Sequence, residues 1–165
     1  MLGYSGLDHV ATRRLLDNEA MKPLPGLDFD VALYDLDSVQ GRAPDDARRT
    51  SIRDRVLALP DENQWTYFGF LACTATNKIE ALCVHEQIWA LFSDARREQM
   101  GQRRWNALCV SGLEVAFALC KFDVPDKVDA LLKAILSAAA STGDVLLEAR
   151  AHIIHAGSSY YVHDS

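Results

Sequence analysis

Residues 105–122 read WNALCVSGLEVAFALCKF, and apolar side chains lie on almost every side of the helix this stretch would form. A helix at a domain surface needs one apolar stripe, whereas a helix that is apolar all round is surrounded by others. The stretch therefore predicts a central helix in an all-α fold, and the flanking sequence supplies its neighbours. Gly101 breaks the helical pattern before it, and residues 123–126 make a turn after it. Beyond that turn, helices are predicted over 127–140 and 145–156, separated by the turn residues Ser141, Thr142, Gly143 and Asp144, with 157–165 left as a tail.

Upstream, Asn77 followed three residues later by Glu80 is close to a capping box, in which the cap side chain bonds a free amide and the glutamate reaches back. The helix it opens is predicted to run to about Gln99. Asn63 is placed as the cap of a helix holding Trp65, Phe68, Leu71 and Ala72. Pro44 and Asp45 start a helix that carries Ile52 and Val56 and is closed by Pro60. Residues 27–39, LDFDVALYDLDSV, fit a strand by alternation and a helix by the stripe Phe29, Ala32, Leu33 and Leu36. A lone strand has no partner here, which favours helix. Residues 7–20 are predicted as a short amphipathic helix ended by KPLPG. The whole is expected to be one helical domain of six or seven helices over 1–165. It has a less regular segment 1–43, a helical-hairpin core 44–156 and the tail 157–165.

Hydrophobic residues make up 49% of the 165-residue chain and charged residues 24%, which is globular composition rather than that of a disordered segment. The formal net charge of -6 opposes the attraction that nucleic-acid and anionic-membrane binders use. Arg96, Arg97, Arg103 and Arg104 form a local basic run, so a nucleic-acid-associated regulator stays as an alternative. Cys73, Cys83, Cys109 and Cys120 contain no CxxC pair and lie in apolar runs, which predicts small buried hydrophobes in a reducing compartment. The first residues lack the basic-then-apolar order of a secretory signal, and no uninterrupted apolar run approaches a membrane span of ~18 residues. A soluble, cytoplasmic protein with no membrane partner is expected.

Two hexapeptides, NKIEAL at 77–82 and DKVDAL at 126–131, differ only conservatively. Lys78 and Lys127 are 49 positions apart, and the same shift sets Phe68 on Phe117, Gly69 on Ala118 and Ile79 on Val128. This predicts two helical hairpins, each with a small residue at the crossing and Asn or Asp at the start of the second helix. The alternative is that Lys-apolar-acid-Ala-Leu is simply a favourable helix start. Trp65-x2-Phe68-Gly69 followed by Ala81 resembles the tetratricopeptide repeat over about 30 residues, a family whose pattern opens W-x2-L-G. The chain departs from that pattern at Ala72 and His85, where the family has aromatics, and in an interval of 49 instead of about 34. The resemblance implies stacked helical hairpins, as a tetratricopeptide-like solenoid or a helical bundle, and binding of a protein or peptide.

Chemical groups are sparse. Glu148, His152 and His155 are spaced four and three apart and share one helix face, a donor set suited to zinc or iron, with Glu86 or Glu114 as further ligands from other helices. The usual two-metal bundle wants Glu-x-x-His on two helices, and that spacing is not met. Asp35 and Asp37 suggest an acidic metal loop less well than a solvated acidic turn. No phosphate loop, nucleophile elbow or H-E-x-x-H is present in the sequence. The sequence thus favours a non-catalytic protein- or peptide-binding scaffold without a cofactor, a homo-oligomer being possible. Tyr67, Arg103 and Arg104 are its candidate contacts, and a metal-dependent helical-bundle enzyme is the alternative.

Overall fold

A computed structural model describes residues 26–39, 45–92 and 94–161. These residues contain no strand and seven helices longer than a single turn, so the fold is all-α. The amphipathic segment predicted at 7–20 lies outside the described residues. The chain divides at Pro60 into two compact units.

In the first unit, α1 (Leu27–Val39) settles the strand-or-helix ambiguity of 27–39 as helix, and α2 (Asp46–Leu57) packs against it. Asp45 caps α2 by accepting from the Arg48 amide at 3.0 Å. Arg48 pairs with Asp37 at 3.3 Å, and Arg55 pairs with Asp30. The two pairs fall at opposite ends of an antiparallel hairpin, so Asp37 serves as a charge partner between helices rather than in an acidic metal loop.

The second unit begins with the single turn α3 (Asp61–Gln64) and a 3-10 turn (Trp65–Tyr67), followed by α4 (Phe68–Cys73). Asn63 lies within α3 and is not the cap foreseen for it. Next come α5 (Lys78–Trp89), α6 (Asp94–Leu119), a 3-10 turn (Cys120–Phe122), α7 (Pro125–Thr142) and α8 (Val145–Tyr161). Helix α6 packs against α4, α5, α7 and α8, which is the surrounded position its sequence demanded. Leu108, Leu113, Val115, Ala116, Ala118 and Leu119 are all buried there. The segment Glu98–Phe122 has the length and hydropathy of a membrane span, and 56% of its apolar window is buried inside the fold, as a core helix also requires.

Several helix limits differ from expectation. Helix α5 stops at Trp89, ten residues short of Gln99, because the chain turns back so that Phe92 meets Trp105 edge-on with ring centroids 5.5 Å apart. Gly101, by contrast, interrupts the helical run where the sequence placed a break. It forms a kink in α6, at φ 71° and ψ 161°, a backbone region open essentially to glycine alone. Helix α8 runs on to Tyr161 instead of ending near Ala156, since Gly157 keeps helical geometry, unlike Gly143, whose φ of 68° ends α7.

The two hexapeptides open their helices differently. Asn77 is a true cap, its side chain accepting from the Glu80 amide at 3.0 Å, while the Glu80 carboxylate reaches back to the Thr76 amide at 3.0 Å. In the second copy Val124 holds the cap position and Pro125 the first turn, so Asp126 is already inside α7. The hexapeptides are therefore two residues out of phase, and Ile79 is 75% exposed where Val128 is 1% exposed. A shift of 47, from Asn77 to Val124, restores agreement at most positions, although buried Phe70 then falls on exposed Phe117. Phe68, Gly69, Leu71 and Ala72 then match Val115, Ala116, Ala118 and Leu119, and Ala81, Val84, His85 and Ile88 match Val128, Leu131, Leu132 and Ile135, all buried. Gly69 does mark a close crossing, because a Cβ there would lie 2.7 Å from the Glu114 Cβ on α6.

Candidate functional site

Helix α8 distributes its residues over three faces. At 3.6 residues per turn, Leu147 and Ala151 fall together and are buried against the rest of the unit. Glu148, His152 and His155 share a second face, as the sequence foresaw. Val145, Leu146, Ala149 and Ile153 occupy a third arc of about 100°, as wide as the stripe that ordinarily faces a core. Here that arc faces out, with Val145 74%, Leu146 64% and Ile153 70% exposed. The helix is fixed at its start by Asp144, whose carboxylate accepts from the Leu147 amide at 3.0 Å.

The polar face does not assemble as a ligand set. His152 Nε2 stands 4.0 Å from Glu148 Oε1, but His155 Nε2 is turned toward Asp129 Oδ1 of α7, at 3.2 Å. Glu86 accepts from Lys127 Nζ at 2.9 Å, and Glu114 lies over Gly69. Among the described residues no group of three or more His, Cys, Asp or Glu side chains is arranged to hold a metal ion. The residues proposed for zinc or iron are thus distributed among separate pairings.

The three candidate binding residues occupy different elements. Tyr67 is half-buried in the 3-10 turn before α4, next to a turn held by Ser111, whose hydroxyl donates to the Trp65 carbonyl at 2.8 Å. Arg103 and Arg104 are exposed on α6, just beyond the Gly101 kink. The cysteines also separate: none of the four is joined in a disulfide, Cys109 is buried, Cys73 and Cys120 are half-buried, and Cys83 is exposed rather than buried as expected. Cys83 lies on the outward side of α5, whose inward side is taken by Ala81, Val84, His85 and Ile88. Burial raises the Cys120 thiol above its ordinary pKa.

Sequence reasoning passed over two features. One is the outer arc of α8, which was visible as an excess of apolar residues in VLLEARAHII beyond what one buried stripe uses. The other is His85, which is buried on α5 with its ring stacked on Trp89, at a centroid distance of 6.0 Å and an interplanar angle of 10°. Neither ring nitrogen has a hydrogen-bond partner among the described residues. Burial lowers its pKa below the ordinary imidazole value, and the nearby Lys127 ammonium pushes the same way against the opposing Glu86 carboxylate. No protein-family model, curated protein or solved structure matches the chain.

Proposed function

We propose that this protein is a non-catalytic binding scaffold whose outward arc on α8 receives an amphipathic helix from a protein partner. The observation that carries this reading is the second apolar stripe of α8, exposed at Val145, Leu146 and Ile153 while Leu147 and Ala151 already fill the core side. Scattered apolar side chains are normal on a surface, but a contiguous helical stripe is a recognition surface of the kind that an apolar helix face covers. Glu148 borders the stripe and the chain carries a net charge of -6, which favours a partner with basic residues flanking its apolar face. The two hairpins with matched buried positions are the tetratricopeptide-like frame of the proposal, and they give α8 a rigid backing.

The test replaces Leu146 and Ile153 together with Asp and places a photo-reactive residue at Ala149, exposed between them on the arc, for crosslinking in the native cell. Capture of a specific protein through a basic amphipathic helix, lost in the double variant while the fold is kept, is the expected result. Capture that is indifferent to the double variant removes the α8 surface from the function. Sedimentation of the purified chain as a dimer through the same residues would make a second copy the occupant instead.

A further inference from the structure

We infer that His85 is an acid-sensitive latch between α5 and the start of α7, closed when its ring is neutral and released when the ring takes up a proton. The geometry sets a conflict that protonation triggers. The ring is 1% exposed, neither Nδ1 nor Nε2 has a hydrogen-bond partner among the described residues, and one face lies on Trp89 a turn further along α5. The charged groups acting on it are Glu86 of its own helix and Lys127 of α7. Glu86 Oε1 stands 3.6 Å from Nδ1, beyond hydrogen-bond distance, and accepts from Lys127 Nζ at 2.9 Å. This bridge links α5 to the first turn of α7, alongside Lys78 Nζ, which donates to the Asp123 carbonyl at 3.2 Å just before that helix.

A neutral imidazole can occupy this position as a flat, largely apolar plate. An imidazolium cannot do so at the same cost, because a buried charge needs compensation and the carboxylate within reach is already engaged by an ammonium. Two cations then compete for Glu86. Relief comes when the ring leaves its place, which undoes the stack on Trp89 and its placement beside Lys127 at the start of α7. The equivalent position in the second hairpin is Leu132, also buried, so packing alone calls for an apolar side chain there and the imidazole is a departure from it.

The direction in pH follows from the lowered pKa of His85 in the folded chain. Above the ordinary imidazole range the ring is neutral in both folded and opened states, and it contributes no pH dependence. As pH falls through the ordinary value the opened state takes the proton first, so stability is lost with acidification until the folded-state value is passed. For one such group, the folding constant falls by up to about tenfold per pH unit within that window.

The experiment compares the wild type with His85→Leu and His85→Gln from about pH 7.5 to about pH 5, a range in which an ordinary histidine titrates. Urea unfolding gives the folding constant, and amide exchange, corrected for its intrinsic pH dependence, locates the opening. The expected result is a pH-dependent loss in the wild type that both variants reduce, with faster wild-type exchange in α5 and the first turn of α7 at the acid end only. Equal pH slopes in the wild type and variants, or acid-induced opening spread evenly over α6, overturn the latch. Should neither variant fold, the His85 ring resonances of the wild type decide the matter. Titration in the folded state below the ordinary imidazole value supports the latch, and titration at or above it with the fold intact overturns it.

Discussion

The hairpin of α4 and α5 and the hairpin of α6 and α7 bury residues at mostly the same intervals, Phe70 and Phe117 excepted, but build their turns and crossings from different parts. The first uses a six-residue helix, an asparagine cap and a glycine at the crossing, where Glu114 lies against Gly69. The second uses a long helix surrounded by four others, a 3-10 turn that ends with Asp123 in the left-handed region, and a proline start. Equivalent burial can therefore be reached without equivalent local sequence. Similar local sequence, as in NKIEAL and DKVDAL, does not ensure equivalent burial when the helix starts two residues earlier.

The comparison is broken or sharpened most strongly at the two aromatics that the 49-position shift equates. Phe68 is buried and Phe117 is exposed. Phe68→Ala is expected to cost about 3 to 5 kcal/mol in urea unfolding, as for other buried aromatics, and Phe117→Ala less than about 1 kcal/mol. Comparable losses at the two sites would restore the 49-position equivalence.

A smaller effect separates the two branched residues inside the hexapeptides. Val128→Ala removes a buried side chain and is expected to cost about 2 kcal/mol, while Ile79→Ala should stay within about 0.5 kcal/mol. The denaturation midpoints of the two variants measure the difference directly. The smallest effect lies at the helix starts. Asn77→Ala loses the cap bond to the Glu80 amide and should cost about 1 kcal/mol, whereas Asp126→Ala, already inside α7, loses only a favourable charge near the helix start, worth about 0.5 kcal/mol. An equal cost at both would show that Asp126 caps α7 in solution.

The sequence by itself determined the all-α class, the central place of 105–122, the caps at Asp45 and Asn77, and the shared face of Glu148, His152 and His155. Each rests on interactions within a few residues or on a periodicity of one helix, and both are written along the chain. Tertiary structure alone decided the rest. Whether Ile79 or Val128 faces the core depends on where each helix starts and what lies across from it. His155 is turned toward Asp129, and Glu86 toward Lys127, by helices whose relative placement no local pattern encodes. The same holds for the two faces of α8: both stripes are apolar in sequence, and only packing against the rest of the unit determines that Leu147 and Ala151 are covered while Leu146 and Ile153 are left exposed.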